Sequence, residues 1–234
     1  MIIEGAIAVK AAIKGRKRTV EKVYIDRGKK TKDFNYIRKI TKEAGIELIE
    51  LEREQLGEHL TGKSHGGIGA EVSSRKNDEL TDGDIFYLEG IEDPFNLGYS
   101  MRTLYAFGVK NVLLSPRDYI TMENQLLKSS AGAYDMLNVQ ITEDAVRQIS
   151  GYKQQGYSLY ALYRGEESTD IFDATFSDKA LFMLGGEKRG ISSALLDMAD
   201  RKFFISYGSD FRNSLNACAA LDVVATLLYS QRRK

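Results

Sequence analysis

At 234 residues, 43% of them hydrophobic and only two of them proline, the chain is long enough for one large domain or two smaller ones with separate cores. Its 33 basic side chains match its 33 acidic ones, yet residues 1–76 carry 17 basic and 11 acidic groups while residues 77–234 carry 16 and 22. A single cysteine, Cys218, excludes an internal disulfide, His59 and His65 cannot form a metal site alone, and no window approaches the roughly 18–20 apolar residues of a spanning helix, so neither metal nor membrane is expected.

The opening MIIEGAIAVKAAIKGRK has too short an apolar stretch for an export signal and an early Glu4, which predicts a cytoplasmic protein. Periodicity predicts a helix over Glu4–Lys14, a strand over Lys22–Asp26, a helix over Asp33–Ala44, a strand over Ile46–Leu51, a short helix over Arg53–Leu60 and a strand over Gly69–Val72. The loop TGKSHGGIG, residues 61–69, lies between the last two. From Lys10 to Lys42 there are 13 basic residues against 3 acidic, a block suited to phosphate contacts, or alternatively a merely solvated face. The polar, turn-rich SSRKNDELTDGD, residues 73–84, is the best linker candidate, giving an RNA- or substrate-binding domain over 1–76 and a second domain over 77–234.

Beyond it, apolar runs at Ile85–Leu88, Val112–Leu114, Leu159–Tyr163, Leu181–Leu184 and Phe203–Ile205 predict strands buried on both faces. Helices are predicted over Asn96–Phe107, Met122–Ser129, Thr142–Gln155, Ser192–Asp197 and Ser214–Arg232. Such alternation means a parallel α/β sheet, with ligands at the carboxyl ends of the strands. Cys218, inside the apolar run Leu215–Leu228, is expected to be a small buried hydrophobe.

Three loops after strands carry chemistry. In EGIEDPFNLGYSMRTLYAFGV, Asn96 and Arg102 sit six residues apart; alone, they read rather as a helix cap and a surface ion-pairing group. LGGEKRGIS, residues 184–192, is neither a dinucleotide fingerprint nor a P-loop, and Glu187 favours a neutral or cationic ligand over a phosphate. In the third, Ser214-Leu215-Asn216 opens a helix apolar on nearly every side, which must be buried against the sheet and a second subunit.

In this order and separation the three motifs, Asn-x-Gly-x-x-x-Arg, Gly-x-Glu-x-x-Gly and Ser-Leu-Asn, resemble the SpoU (TrmH-type) RNA ribose 2′-O-methyltransferases of the SPOUT superfamily over residues 84–232. The basic first part, with Ser64-His65-Gly66-Gly67-Ile68, resembles the small α/β ribosomal-protein-like RNA-binding domain that many members carry. The resemblance implies a parallel-sheet catalytic domain with a C-terminal trefoil knot, S-adenosyl-L-methionine held by Gly185, Gly186, Gly190, Ile205 and Leu215, and a homodimer. It implies catalytic roles for Asn96, Arg102, Glu187, Ser214 and Asn216, and RNA contacts from Lys14, Arg16, Lys17, Arg18 and His65. Because arginine is effectively always protonated, Arg102 is better suited to bind phosphate and a developing alkoxide than to act as base. The implied substrate is structured RNA, ribosomal rather than transfer, with a transfer-RNA methyltransferase, a non-catalytic RNA-binding protein and another nucleotide enzyme as alternatives. Residues 1–74 alone are expected to fold and bind RNA. The chain departs from the family at Ile205-Ser206-Tyr207, where many members have Ile-Pro-Met, and the lost proline is expected to loosen the backbone there.

Overall fold

The computed structural model describes residues 1–62 and 65–233; Lys63 and Ser64 of the glycine-rich loop, and Lys234, lie outside the described residues. The chain divides into two compact units, one of Met1–Lys76 with Asp118–Met136, the other of Asn77–Arg117 with the chain from Leu137 onward.

Among the described residues, the first unit runs β1 (Ile2–Glu4), α1 (Ala6–Gly15), β2 (Val20–Asp26), α2 (Lys32–Glu43), β3 (Glu47–Leu51), α3 (Arg53–His59) and β4 (Ile68–Val72). The strands form a sheet ordered β1-β4-β2-β3, with β2 and β3 parallel and the β1–β4 and β4–β2 pairs antiparallel. The helix expected from Glu4 is corrected: Glu4 ends a strand paired to β4, and Gly5, at φ +94, turns the chain into α1. α2 buries Phe34, Ile37, Ile40 and Thr41 on one stripe. α3 opens with a capping box between Glu52 and Gln55 and packs Leu56 and Leu60 on Tyr24, whose ring stacks 4.4 Å from His59.

Residues 118–136, within the expected second domain, belong to this first unit through α5 (Glu123–Ser129) and a 3-10 turn at Ala133–Asp135. A Cβ on Gly15 would lie 1.7 Å from the Asp135 carbonyl oxygen, so only glycine permits that approach. Arg18 fixes the same segment. Its Nε and Nη2 donate to Asp135 Oδ1 at 3.2 and 2.9 Å, and Nη1 and Nη2 to the Glu123 carboxylate at 3.1 and 3.2 Å. The side chains of Arg18 and Asp135 are fully buried, and that of Glu123 is 2% exposed. Arg18 is therefore an internal structural cation, which corrects its assignment as an RNA contact. Nor do residues 1–74 make a complete unit, since the buried carboxylates that Arg18 bonds come from residues 123 and 135.

The second unit runs β5 (Ile85–Glu89), α4 (Pro94–Ala106), β6 (Asn111–Leu114), β7 (Asn138–Ile141), α6 (Ala145–Gln154), β8 (Ser158–Leu162), β9 (Ser168–Asp170), β10 (Ala180–Gly185), α7 (Ser193–Met198), β11 (Arg201–Phe204) and α8 (Ala217–Arg232). Its strands, ordered β7-β6-β5-β10-β8-β11-β9, pair in parallel throughout the described residues. Ile85–Leu88 and Leu181–Leu184 are buried on both faces, as continuous apolar runs dictate. β7 and the edge strand β9 were not expected; NVQI and STD are too short and polar to read as strands. The stretch expected as a linker is partly an ordered strap: Asn77 Oδ1 and Asp78 Oδ2 accept the Ile141 and Val139 amides at 2.6 and 2.9 Å, and Asn111, fully buried, bonds Thr81. The last helix begins at Ala217 rather than Ser214, with Asn216 as its cap.

Candidate active site

β10 ends at Gly185, beside the carboxyl end of β5. The Gly186 amide donates to the Glu89 carbonyl at 2.7 Å, and a Cβ on Gly186 would lie 2.1 Å from the Gly90 carbonyl oxygen. A Cβ on Gly185 would meet the Gly190 carbonyl carbon at 2.0 Å, and Gly190 itself stands at φ +64. The three glycines thus make a closed turn in which backbone replaces side chain. Glu89, which the sequence did not single out, anchors the far side by accepting the Ser192 amide at 2.9 Å.

Across the turn, Asn216 Oδ1 accepts the Cys218 amide at 2.8 Å, capping α8, while Asn216 Nδ2 donates to Glu187 Oε1. This bond joins the second and third motifs. Ser214 and Leu215 precede the helix; the Leu215 amide donates to the Tyr207 hydroxyl at 3.2 Å. Together these segments line a cleft of about 300 Å³ that includes Gly185, Gly186, Glu187, Gly190, Ile205 and Leu215. Its walls are apolar at Phe203 and Ile205, and its rim carries backbone groups, the Glu187 carboxylate and the Arg164 guanidinium, a set that suits a flat heteroaromatic with charged substituents.

Two residues, Arg164 of this cleft and Asp170 bonded to Ser206 beside it, had no signal in the sequence. Arg164 donates Nη2 to the Ile205 carbonyl at 2.9 Å, and its guanidinium lies 4.4 Å from the Tyr207 ring centroid. Asp170 accepts from the Ser206 hydroxyl and from the Phe172 and Ser206 amides, which holds its carboxyl below the usual range. A proline at 206 has no amide to donate. The looser backbone expected at Ile205-Ser206-Tyr207 is therefore corrected: the segment is tied down by hydrogen bonds in place of a ring.

Asn96 lies in the first turn of α4, where its amide donates to the N-cap Asp93 at 2.8 Å and Pro94 starts the helix. Asn96 and Glu187 share a smaller adjoining recess of about 170 Å³, so Glu187 borders both spaces. Lys188 bonds Glu92 at 2.7 Å on its edge and holds that carboxyl below the usual range. Arg102 is not brought into either space. It sits on the exposed surface of α4, about 9 Å further along the axis than Asn96, with no hydrogen-bond or ion-pair partner among the described residues. α8 buries Leu221, Val224, Ala225 and Leu228 along one stripe and packs against α4 and β10. Cys218 is half-buried, not a core residue.

In the first unit Lys14 lies 5.1 Å from the Tyr36 ring centroid, Arg16 is exposed at the left-handed C-cap of α1, and Lys17 is half-buried. His65 Nδ1 accepts the Gly67 amide at 3.0 Å.

Residues 84–226 match the model of the SpoU rRNA Methylase family, and residues 2–77 match that of RNA 2′-O ribose methyltransferase substrate binding. A Staphylococcus haemolyticus protein assigned to the TrmH family tRNA/rRNA methyltransferases is 27% identical over 100% of this chain and 97% of its own length. Among solved structures, an RNA 2′-O ribose methyltransferase superposes with a TM-score of 0.80 at 21% identity, covering 100% of this chain and 89% of the other. The SpoU methyltransferase AviRb from Streptomyces viridochromogenes, solved with AdoMet, superposes at 0.79 and 17% identity over 100% and 91%. With the motif-bearing loops assembled at the strand ends and the family model covering most of the chain, this protein belongs to the SpoU rRNA Methylase family.

Proposed function

We propose that the chain is a cytoplasmic, homodimeric enzyme that methylates a ribose 2′-hydroxyl of structured RNA, with ribosomal RNA as substrate and S-adenosyl-L-methionine as methyl donor. The observation that carries the proposal is the Asn216–Glu187 hydrogen bond, which draws the second and third motifs to the mouth of the Gly185–Gly186–Gly190 cleft. The residues present fit the cofactor: a Cβ at Gly185 or Gly186 would obstruct the turn, Phe203 and Ile205 offer apolar walls, and Glu187 offers a charge opposite to a sulfonium. S-adenosyl-L-methionine would supply a methyl group already activated for transfer to oxygen.

The chain's own residues have the remaining work. A ribose hydroxyl is a poor nucleophile at neutral pH, so the site must align it and stabilise charge as its proton leaves. Asn216, oriented by Glu187 and by the Cys218 amide, places an amide group beside the cleft; Ser214 offers a hydroxyl on the same rim. Asn96 faces the neighbouring recess. Arg102, exposed and without a partner among the described residues, is available for an RNA phosphate and for the developing alkoxide. The exposed side of α8 and α4 is the surface for the second subunit, and the trefoil knot belongs to the same reading, supported by the Gly186–Gly90 approach and by α8 packing on α4 and β10. Lys14, Arg16, Lys17 and His65 are the RNA contacts proposed on the first unit.

The test is transfer of labelled methyl from S-adenosyl-L-methionine to ribosomal RNA of a strain lacking the gene, followed by nuclease mapping of 2′-O-methyl sites. Label on a base, on transfer RNA alone, or on no RNA would contradict the proposal.

A further inference from the structure

The first unit contains a second cavity, of about 660 Å³, remote in sequence from the methyl-transfer motifs. Its exposed apolar surface comes from Ile7, 58% exposed, while Phe34 and Leu127 of its lining are 4% and 1% exposed. The acidic groups bordering it are engaged: Glu4 accepts the Gly62 amide at 2.9 Å, and Asp33 is paired with Lys10. The basic ones are more available. Lys128 is exposed and has no partner among the described residues; Lys29 donates to the Gly66 carbonyl at 2.8 Å and lies 5.9 Å from the Phe34 ring centroid. His65 uses Nδ1 as an acceptor from Gly67, so the neutral ring carries its proton on Nε2 and retains a donor for a ligand.

An apolar-walled cavity of this size, with lysines at its border and its carboxylates already satisfied, matches a flat aromatic ring attached to an anion. We infer that the cavity receives one unpaired nucleotide of the RNA, its base against Ile7 and its phosphate near Lys128. A base stacked inside a duplex cannot enter, so the cavity selects a loop or bulge. Leu127 and Lys128 come from the segment 118–136, so the nucleotide site exists only where that segment is docked on the first unit. The inference rests on the reading of the first unit as RNA-binding and adds to it a base-sized subsite.

The full-length protein is titrated with a hairpin RNA carrying one 4-thiouridine in its unpaired loop, and with a fully paired duplex of equal length. Photo-cross-linked peptides are then identified by mass spectrometry. Cross-links within residues 5–8, 29–34 or 127–128 are expected, and Lys128→Glu and Ile7→Asp should each weaken hairpin binding by about tenfold or more, the scale of losing one stacked base. Duplex binding should change by much less with Ile7→Asp, and Lys128→Glu, at an exposed position, should melt like wild type. Hairpin binding by wild type with cross-links only elsewhere, or with both variants unchanged, overturns the cavity and leaves RNA binding by the first unit standing. No binding of either RNA by wild type overturns both, and methyl transfer to ribosomal RNA then tests the enzyme assignment separately.

Discussion

Arg18→Ala tests whether the basic block of the first unit is a continuous RNA surface or partly internal scaffolding. Wild-type Arg18 bonds two buried carboxylates, Glu123 and Asp135, and also donates to the Ser73 carbonyl at 3.4 Å. Removing one partner of a buried ion pair leaves charge uncompensated in a medium of low polarisability, which costs about 3–5 kcal/mol. Urea unfolding of the full chain should show that loss in the transition of the first unit. Lys14→Ala and Arg16→Ala, on the surface, should each stay within about 0.5 kcal/mol of wild type, while removing a cation that binds phosphate should flatten the salt dependence of RNA affinity by about 0.7–0.9. The penalty at Arg18 should also depend on pH. Burial raises the Asp135 carboxyl above its usual range, against the downward pull of Arg18. Without Arg18 only the weaker pull of Arg75 opposes that rise, so the folded variant holds protons more tightly than its unfolded chain. Its deficit is then full above the folded-state pKa and shrinks as pH falls through it. If Arg18→Ala unfolds within about 1 kcal/mol of wild type and flattens the salt slope instead, the cation binds phosphate and the internal role is wrong.

Arg102→Ala should lower methyl transfer by about a hundredfold or more while S-adenosyl-L-methionine binding, measured by calorimetry, stays near wild type; activity within a few-fold of wild type would remove Arg102 from the site. Gly186→Ala should destabilise the second unit by about 1–3 kcal/mol and abolish measurable cofactor binding, because its Cβ would lie 2.1 Å from a backbone oxygen; retained affinity refutes the closed turn. Glu50→Gln probes the half-buried Arg38 pair: the hydrogen bond from Arg38 lowers the Glu50 pKa, so wild type gains stability above the unfolded-state value near about 4.3 and loses it as pH falls through the folded one. That difference should stay below about 1 kcal/mol and vanish in the variant. Light scattering should give twice the chain mass of 26.2 kDa, and a monomer at micromolar concentration would contradict the dimer.

The strands of the catalytic sheet were legible because both faces are covered, which forces continuous apolar runs such as Ile85–Leu88 and Leu181–Leu184. Legible too were the loops that follow them, since chemistry in such sheets gathers at strand ends. What could not be read depends on approach in space. Arg18 stands beside Arg16 and Lys17, and nothing in that run distinguishes a buried guanidinium from a solvated one; the difference lies in Glu123 and Asp135, more than a hundred residues away. Gly15 and Gly186 look like ordinary loop or helix-end glycines until a carbonyl oxygen is found where their Cβ would be. Arg164 and Asp170 carry no motif, because they act on the backbone of Ile205 and Ser206 and not on a ligand.

The same distinction bears on how the chain is divided. The polar stretch at 73–84 marks a real change in composition, and the two family models meet near it, at 77 and 84. Yet a boundary in sequence assumes that each unit is contiguous. Here the catalytic stretch lends residues 118–136 to the first unit, with Gly15 accepting its close approach and Arg18 bonding its carboxylates. A fragment cut at residue 74 would leave Arg18 without its carboxylate partners and would remove Leu127 and Lys128 from the larger cavity. It should therefore fold less stably and bind hairpin RNA more weakly than the first unit does in the full chain. A fragment 1–76 joined through a flexible linker to 118–136 should recover both properties. Equal unfolding midpoints and equal hairpin affinity for the two fragments would show that the borrowed segment contributes nothing, and that the compositional boundary is the physical one after all.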